Sequence, residues 1–456
     1  MDIPSIFQRA YYTAPILVQN VLFSALCAAQ DRKRYSHHYK EKFDWLLETE
    51  WWDKDRIKAY QIQKTNEIIK HASRNVPFYK ELYGLHGISS RQIQNLTELK
   101  DFPIISKENA RASMQEMYAL TASRKTITTR TSGTTGSPLV IKHSPDSLAF
   151  QWALWWRHRH RFGWQRGERF LTVGARVPVH SAQVAPPYWR EDILANRTYL
   201  SSYHLGERQL PAIIKMLTRK KFPFITGYPS SIAQIAAFML DNNISLPVAP
   251  RLVSTGSDAL DANSKRLISE AFKCHVTDQY GMAEFCGNLS SCPQGHYHLD
   301  FECCHLEIEN GRMIFTGFAN PVMPFIRYDI GDAAKSDLIT KPCTCGRHSP
   351  YILGFDGRSE DYITLRDGRN IMGLNQVLEY AVGVQAIQIV QNDIGSIDVM
   401  IVPAHDYNEA STKSALSFEF EKRLGVNAID INYHLVPSVE KTPSGKIKAV
   451  INNIEA

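Results

Sequence analysis

Residues 131–142 read Thr-Ser-Gly-Thr-Thr-Gly-Ser-Pro-Leu-Val-Ile-Lys. Two glycines three residues apart, set among hydroxyl side chains, indicate a flexible polar loop, and the apolar run 139–141 predicts that this loop enters a strand. Backbone N–H groups and hydroxyls in such a loop can surround phosphate oxygens. A solvated hairpin turn is the alternative, because Gly, Ser and Thr are common in turns. The stretch is not a Walker A loop, since no Gly-Lys-Ser or Gly-Lys-Thr closes it.

The size and composition are those of an ordinary globular protein. A chain of 456 residues exceeds what one hydrophobic core usually supports, which predicts two or more domains. Hydrophobic residues make up 44% of the chain and charged residues 21%, both typical of globular proteins. The formal net charge of +6 suits anionic substrates and does not imply a nucleic-acid partner.

An apolar run near the N-terminus, residues 14–29, predicts a helix. The run contains Gln19 and Asn20 and is too short and polar to span a bilayer, and it lacks the features of a signal peptide. Apolar residues recur at helical spacing, namely Ile16, Leu17, Val21, Leu22, Ala25 and Leu26. We expect this face to pack against the main domain. Peripheral membrane contact is the alternative, because three basic residues, 32–34, follow the run.

Short apolar runs suited to strands alternate with helical patterns between residues 170 and 278. The predicted strands are 170–173, 224–225, 252–254 and 275–278, and the predicted helices are 210–217, 230–240 and 262–272. This alternation predicts an α/β fold with mixed, largely parallel sheets. We expect a large N-terminal domain over residues 1–356, with a helical extension at 1–45, and a small α+β domain over residues 357–456.

Two segments after the predicted strands carry residues suited to a nucleotide. Residues 278–284 read Asp-Gln-Tyr-Gly-Met-Ala-Glu, in which Tyr280 offers a flat face for a base and Glu284 can coordinate Mg²⁺ beside phosphates. Residues 327–332 read Arg-Tyr-Asp-Ile-Gly-Asp, in which Asp332 could accept hydrogen bonds from ribose hydroxyls. Two further turns, 357–361 and 443–446, place an arginine and a lysine near the expected domain junction and the C-terminus. Each segment is a weak signal alone.

The order and spacing of these segments resemble the signature of the adenylate-forming acyl ligases. The resemblance covers about residues 60–450 and is strongest to the phenylacetate-CoA ligase branch, especially to its relatives found with capsule and surface-polysaccharide biosynthesis. It implies that residues 357–456 form a mobile domain hinged at Glu360. It further implies ATP-binding roles for Thr131, Ser132, Gly133, Thr134, Thr135, Gly136, Ser257, Asp258, Tyr280, Gly281, Asp332 and Arg358.

The resemblance also implies a reaction. A substrate carboxylate would attack the α-phosphorus of ATP, with Lys446 bridging the two reactants and Glu284 binding Mg²⁺, and the acyl-adenylate would then meet a thiol such as CoA. The chain departs from the family at Ser137, where a lysine is often found, and at Asp258, where many relatives carry Glu. Transfer to an amine or a carrier-protein thiol is the alternative within the class. A catalytically inactive binding protein of the same fold is the alternative outside it.

A group of cysteines and histidines predicts a metal site. Seven of the eight cysteines fall within residues 274–345, which argues against a disulfide scaffold. Residues 292–298 and 342–347 each supply two ligands, and a Cys₃His set suits tetrahedral Zn²⁺ in a structural role. We predict Cys292, His298, Cys343 and Cys345 as the ligands, with Cys286 and His296 as substitutes. Unligated thiols are the alternative.

The acid that would enter the site is less visible. Aromatic residues that could line a substrate pocket are Trp155, Trp156, Tyr188 and Tyr228, although such residues are more often part of a core. They do not distinguish aryl, hydroxy and amino acids. We expect a cytoplasmic location, because the reaction needs ATP and no export signal is evident.

Overall fold

The computed structural model describes residues 10–89, 91–123, 125–130, 139–174, 179–180, 183–257, 260–358, 362–366, 370–372, 374–378, 380–424, 428–441 and 447–454. The chain divides into two compact units. The first contains Met1–Ala28, Arg166–Asp278 and Asp356–Ala456, and the second contains Ala29–Gln165 and Gln279–Phe355. The boundary expected between residues 356 and 357 stays a prediction.

Helices and strands in the described residues bear out the mixed α/β class. The helices are α1 (Ile16–Arg34), α2 (His37–Thr49), α3 (Lys54–Asn75), α4 (Pro77–Leu85), α5 (Lys107–Ala112), α6 (Pro145–Arg161), α7 (Leu210–Lys220), α8 (Pro229–Asp241), α9 (Ala262–Phe272), α10 (Asn375–Leu378) and α11 (Glu409–Leu424). The strands are β1 (Ile127–Arg130), β2 (Val140–His143), β3 (Phe170–Gly174), β4 (Trp189–Asp192), β5 (Arg197–Ser201), β6 (Phe224–Gly227), β7 (Leu252–Gly256), β8 (His275–Gly281), β9 (Asn288–Ser291), β10 (Tyr297–Leu299), β11 (Cys304–Glu309), β12 (Arg312–Gly317), β13 (Tyr328–Ala334), β14 (Tyr351–Ile352), β15 (Phe355–Arg358), β16 (Tyr362–Thr364), β17 (Asn370–Met372), β18 (Val384–Gln391), β19 (Ser396–Pro403), β20 (Asp430–Leu435) and β21 (Val450–Asn452).

The first unit is built on a largely parallel sheet. Its strands follow the order β8-β7-β6-β3-β5-β4, and β3, β5, β6 and β7 pair in parallel while the edge strand β4 is antiparallel to β5. Helices α7, α8 and α9 connect or follow these strands, so the predicted alternation is confirmed. The apolar faces of sheet and helices form one core that includes Leu171, Val173, Leu200, Ile213, Ile232, Ile235, Val253 and Ile268.

Residues after 361 form a small α+β layer with its own core. Strands β20, β19, β18 and β21 lie in that order, with β18 and β19 antiparallel and the two outer pairs parallel. Helices α10 and α11 cover the sheet, as the sequence predicted for an α+β unit. The buried residues of this layer include Ile363, Leu374, Ile389, Val399, Leu416 and Phe420.

Helix α1 contacts β4 through polar residues, and the expectation that its apolar face packs against the main domain is wrong for Leu17, Val21, Leu22 and Ala25, which are exposed. Gln19 accepts a hydrogen bond from Nε of Arg190 at 2.7 Å, and the hydroxyl of Ser24 accepts one from the backbone N–H of Ile193 at 2.9 Å. Phe23 is buried here too, with its ring edge-on to Tyr199. No helix in the described part of the chain combines the length and apolar character needed to cross a membrane.

The second unit combines helices with short antiparallel sheets. Strands β1 and β2 pair across residues 131–138, and strands β11, β12 and β13 form an antiparallel meander. Residues 279–281 at the end of β8 pair with β9, which pairs in turn with β10. Ser144 caps the N-terminus of helix α6, because its side chain accepts a hydrogen bond from the N–H of Ser147 at 3.0 Å. These elements bring the ends of β8, β13 and β2 into one unit.

Candidate functional site

Several predicted residues lie outside the described residues. These are Thr131, Ser132, Gly133, Thr134, Thr135, Gly136, Ser137, Asp258, Glu360 and Lys446. The strands on either side of the glycine loop are described, with Arg130 opposite Val140 in the β1–β2 pair. The prediction that the loop enters a strand is therefore confirmed, and β1 and β2 fix where the loop begins and ends.

Tyr280 and Asp332 are brought together, although they are far apart in the sequence. The hydroxyl of Tyr280, at the end of β8, donates a hydrogen bond to Oδ2 of Asp332 on β13 at 2.7 Å. The ring of Phe355 stacks on Tyr280, with centroids 4.6 Å apart and planes 19° apart. Phe315 lies nearly parallel to the Tyr280 ring at 6.0 Å. An aromatic surface and a carboxylate thus sit side by side, each in a fixed orientation.

Glu284 lies in a buried position next to another phenol. Its side chain is 3% exposed, and its Oε1 accepts a hydrogen bond from the hydroxyl of Tyr328 at 3.2 Å. Burial, followed by the neighbouring Glu284 carboxylate, raises the pKa of Tyr328 above its ordinary value. The phenol therefore stays protonated at neutral pH and holds the carboxylate in place as a donor.

His143 joins the end of β1, where the glycine loop begins, to the turn that carries Glu284. No sequence pattern predicted this role. The hydroxyl of Thr129 on β1 lies 2.7 Å from Nε2 of His143 on β2, and the other ring nitrogen bonds the backbone carbonyl of Ala283. Burial lowers the pKa of His143 to about 4, so the ring is neutral at pH 7. We assign Nδ1 as the donor to Ala283 and Nε2 as the acceptor from Thr129 because this tautomer satisfies both bonds.

Ser257 lies at the end of β7 in the first unit with a φ of 69°, which is left-handed backbone that a serine rarely adopts. Two residues before it, the hydroxyl of Thr255 donates to Oδ1 of Asp278 at 2.6 Å. This bond joins the ends of β7 and β8. Neither Thr255 nor Asp278 stood out in the sequence as a positioning pair.

The four predicted pocket aromatics occupy different environments. A Cβ atom at Gly281 would lie 2.9 Å from Oδ1 of Asn288 and 3.8 Å from Nε1 of Trp155, so the half-buried Trp155 lies beside the Tyr280–Gly281 segment. Trp156 is 3% exposed and donates to the hydroxyl of Tyr35 at 2.9 Å. In the first unit, Tyr188 is 3% exposed and Tyr228 is half-buried at the start of α8.

Arg358, which the resemblance assigns to ATP binding, is the last residue of β15.

The four predicted metal ligands form one cluster. One ligand atom from each of Cys292, His298, Cys343 and Cys345 lies within 4.8 Å of the others. Tetrahedral Zn²⁺ with sulfur ligands at about 2.3 Å requires sulfur atoms about 3.8 Å apart, so small shifts would complete such a site. Cys292 and Cys343 each begin a tight turn, in which their carbonyls accept hydrogen bonds from the N–H groups of Gly295 and Gly346 at 2.8 and 2.9 Å.

Hydrogen bonds around the cluster orient its ligands. Nδ1 of His298 lies 3.1 Å from the carbonyl oxygen of Ser349, while its Nε2 lies 3.4 Å from the sulfur of Cys345. Donation from Nδ1 leaves the Nε2 lone pair directed at the cluster, which is the usual arrangement of a metal-binding imidazole. The substitute His296 contacts the sulfur of Cys343 through Nδ1 at 3.2 Å, outside the set of four.

The pKa values of two cysteines in the cluster are shifted in opposite directions. Burial raises the pKa of the Cys343 thiol to about 11. Burial also acts to raise the pKa of Cys345, but hydrogen bonds and charge from Arg347 outweigh it and lower that pKa. The other substitute, Cys286, is buried elsewhere, with its sulfur 3.3 Å from that of Met282. Thiolate character is therefore concentrated at Cys345, next to the arginine.

Arg347 also belongs to a buried network of ion pairs that the sequence did not reveal. Nε of Arg347 donates to Oε1 of Glu50, the residue that follows α2, at 2.7 Å, and Arg161 on α6 pairs with the same carboxylate. Further along α6, Arg157 donates to Asp300 at 2.6 Å and to Glu302 at 2.5 Å. These side chains are buried, so removal of a single member would leave an uncompensated charge. The network joins the metal cluster to α2 and α6.

Comparison with known proteins found a matching family model and similar solved structures. Residues 364–453 match the family described as the CapK C-terminal domain. Over its described fold the chain is similar to 2-hydroxyisobutyryl-CoA ligase in the postadenylation state in complex with R3-HIB-AMP, with a TM-score of 0.66 and 16% sequence identity, covering 89% of this chain and 91% of that chain. The chain thus shares the fold of this ligase.

Two proteins are similar to the chain over two-thirds of its length or more. The chain is 26% identical over 455 residues to protein CapK of Staphylococcus aureus, covering 98% of this chain and 99% of that protein. It is 28% identical over 342 residues to phenylacetate-coenzyme A ligase of Escherichia coli (strain K12), covering 68% of this chain and 73% of that protein. The chain is thus similar to protein CapK over nearly its whole length and to a phenylacetate-coenzyme A ligase over 68% of it, which confirms the resemblance stated from the sequence.

Proposed function

We propose that the protein uses ATP to convert a carboxylic acid into an acyl-AMP with release of pyrophosphate, and then transfers the acyl group to a thiol such as CoA. The observation that carries this proposal is the hydrogen bond of 2.7 Å from Tyr280 to Asp332. It places a ring suited to a nucleobase next to a carboxylate suited to ribose hydroxyls. A carboxylate can accept about four hydrogen bonds, so Asp332 can bind Tyr280 and a ribose at the same time.

Glu284 is the proposed Mg²⁺ ligand. A carboxylate is a ligand that Mg²⁺ prefers, and the bond from Tyr328 at 3.2 Å fixes its orientation. When bound, Mg²⁺ neutralises charge on the phosphates. His143 supports the same turn through Ala283 and supports β1 through Thr129, so the glycine loop and Glu284 share one anchor.

The remaining catalytic roles rest on the resemblance. Residues 131–136 would surround the phosphates, and Lys446 would bridge the substrate carboxylate and the α-phosphate during adenylation. Because Ser137 replaces the lysine that is often found in the loop, more of the charge stabilisation would fall on Lys446. Trp155, beside Gly281, is the best-supported candidate for the wall of the acid pocket.

The transfer step would follow a rotation of residues 357–456 about Glu360. In the first unit, Asp241 at the end of α8 accepts hydrogen bonds from Nε2 of Gln385 at 2.6 Å and from the N–H of His405 at 2.8 Å. Asn263 donates to the carbonyl of Val384 at 3.0 Å. Lys441 donates two longer bonds, to the carbonyl of Ser202 at 3.5 Å and to Oε1 of Gln234 at 3.3 Å. Rotation would break these polar bonds, as expected of a contact that opens during turnover.

Zn²⁺ is the proposed occupant of the Cys₃His cluster, in a structural role. All four residues act as ligands, which leaves no coordination position for chemistry. The donor set, the orientation of His298 by Ser349 and the proximity of the ligand atoms fit this ion. Through Arg347 and Glu50, the bound ion would stabilise the positions of α2 and α6.

The proposal is tested by incubating the purified protein with ATP, Mg²⁺ and a panel of aryl, hydroxy and amino acids. Acid-dependent pyrophosphate release and formation of an acyl hydroxamate are the expected results. If ATP binds but no acid elicits pyrophosphate, the protein is a zinc-stabilised binding protein of this fold. Retention of both Glu284 and Lys446 argues against a binding protein without catalytic activity.

Acyl transfer to an amine or a carrier protein is the second candidate. The similarity to protein CapK covers 98% of the chain, whereas the similarity to the E. coli phenylacetate-CoA ligase covers 68%. Addition of CoA to a preformed acyl-adenylate complex separates the two candidates. Rapid formation of acyl-CoA supports the first. Consumption of the adenylate only with an amine or a phosphopantetheinyl carrier supports the second. We place the reaction in the cytoplasm, where ATP is available.

A further inference from the structure

Helix α1 differs from an ordinary surface helix in where its polar residues lie. Its side toward β4 carries Gln19 and Ser24, both buried and hydrogen-bonded to residues of β4 or the turn after it. Asn20 accepts a further bond from the N–H of Glu191 at 3.0 Å. A surface helix normally turns its apolar stripe to the core and its polar residues to water. In α1, polar bonds and the buried side chains of Phe23 and Cys27 attach the helix, and most of the large apolar side chains are left outside.

The outward side of α1 is a continuous apolar stripe. Leu17 is 70% exposed, Val18 44%, Val21 55% and Leu22 45%, and the smaller Ala25 and Ala29 are also exposed. Residues four apart lie above one another on a helix, so these side chains share one face. Contiguous apolar surface of this kind marks a site of contact with another apolar phase.

A second exposed apolar element lies next to α1. Ile193 and Leu194, in the turn after β4, are 57% and 72% exposed. This turn is bonded to α1 through the N–H of Ile193 and the hydroxyl of Ser24. The turn and the helix are therefore held together by the polar side of α1.

The charges on α1 select the chemistry of its partner. Residues 10–30 contain no charged side chain, and the helix ends with Arg32, Lys33 and Arg34. Arg32 and Lys33 are exposed, and the acidic Asp31 pairs with Arg34 at 3.4 Å. The face is thus apolar along most of its length and cationic at one end. This order complements a surface that offers hydrocarbon beside anionic head groups.

We propose that α1 binds the surface of a membrane that contains anionic phospholipids, lying parallel to it with Leu17, Val18, Val21 and Leu22 among the acyl chains. Its 19 residues extend about 28 Å along the surface. Arg32 and Lys33 lie at the level of the head groups. The stripe is the convex side of a single helix and carries no polar group for directional pairing, which favours a fluid apolar phase over a protein partner. This inference does not depend on the proposed adenylation.

The test is co-sedimentation of the full-length protein with vesicles of phosphatidylcholine containing about one-third phosphatidylglycerol, a composition that supplies anionic head groups. The double variant L17Q/V21Q should bind at least about tenfold more weakly, since it removes two inserted side chains. L85Q is the matched control, because Leu85 is also an exposed helical leucine, at 78%, and should leave binding unchanged. All substituted positions are exposed, so thermal unfolding should match wild type.

A second variant tests the role of charge. R32Q/K33Q should weaken binding to the anionic vesicles about fivefold or more and should reduce its dependence on salt, with little effect on pure phosphatidylcholine. Absence of binding by the wild-type protein, or equal binding by L17Q/V21Q, would overturn the proposal. A wild-type dimer in sedimentation velocity that L17Q/V21Q converts to monomer, without vesicle binding, would assign the stripe to a second copy of the chain and overturn it as well.

Discussion

Tyr280 and Asp332 are joined by a hydrogen bond of 2.7 Å between the ends of β8 and β13. Tyr280 pairs with Leu289 of β9 and Asp332 lies within β13, so the bond orients a ring and a carboxylate without help from a ligand. Preorganisation of this kind lowers the entropic cost of binding a nucleoside. The pair gives the proposed site its most direct test.

We expect Tyr280→Phe to weaken ATP binding while leaving the fold intact. The substitution keeps the stacked ring and removes only the bond to Asp332, which corresponds to about a two- to tenfold loss. The KM for ATP in the pyrophosphate assay measures the effect. Tyr380→Phe, at an exposed tyrosine, is the control. An unchanged KM would show that Asp332 is positioned by other contacts.

Lys446→Ala should abolish adenylation and preserve ATP binding. Loss of a charge that acts on the developing transition state costs about 100- to 1,000-fold in rate. Pyrophosphate release and equilibrium ATP binding separate the two effects. Lys448→Ala, two residues along the chain, serves as the control. Adenylation at the wild-type rate would remove Lys446 from its proposed role.

His143→Phe should impair the use of ATP and Mg²⁺ more than His143→Gln does. Phenylalanine removes the bonds to both Thr129 and Ala283, whereas glutamine can donate and accept in their place. A rise of about tenfold in the KM for MgATP, partly rescued in His143→Gln, would indicate a positioning role. Equal losses of kcat alone in both variants would contradict it.

The same histidine predicts how stability depends on pH. Burial lowers the pKa of His143 from 6.5 to about 4, so between these pH values the unfolded chain binds a proton that the folded chain does not. Stability from this site is present above pH 6.5 and is lost as pH falls toward 4, by up to about 3 kcal/mol. Urea unfolding at pH 7 and pH 4.5 should show a smaller loss for His143→Gln than for wild type. Equal losses would exclude this contribution.

Elemental analysis of the undenatured protein should find about one Zn²⁺ per chain, as expected for a Cys₃His site. Cys345→Ser should lower this value below about one-tenth and lower the melting temperature, because Arg347 would lose a partner within the buried network. Cys274→Ser, outside the cluster, is the control. Full zinc occupancy in Cys345→Ser would contradict the assignment of that ligand.

The sequence predicted the parts of the molecule that rest on local pattern. Alternation of apolar runs located β3, β6, β7 and β8, and the paired Cys and His residues identified all four members of the cluster. It did not predict His143 or Arg347, because a single histidine in a strand or arginine in a turn has no pattern of its own. Their roles arise from contacts with residues far away in the chain, such as Ala283 and Glu50.

Helix α1 shows what hydrophobic periodicity does not predict, namely which face of a helix is buried. Its apolar spacing correctly predicted a helix, but periodicity does not say which face meets the protein. Gln19 and Ser24 face β4 because Arg190 and the N–H of Ile193 offer them bonds there. The partners that decide the orientation lie far away in sequence: Arg190 is 171 residues from Gln19, and Ile193 is 169 residues from Ser24.

The bond from Arg347 to Glu50 also bears on the number of thiolates in the metal cluster. A divalent ion with three thiolates and a neutral imidazole carries a net charge of minus one, which the neighbouring guanidinium can balance. Four thiolates would give the complex a net charge of minus two, and two thiolates would leave it neutral. The arginine beside it, Arg347, has a pKa that Glu50 and Cys345 raise against the effect of burial, so it stays charged. The electrostatics of the interior thus favour histidine as the fourth ligand, and a His298→Cys protein would bind its ion with an excess negative charge next to buried Asp300.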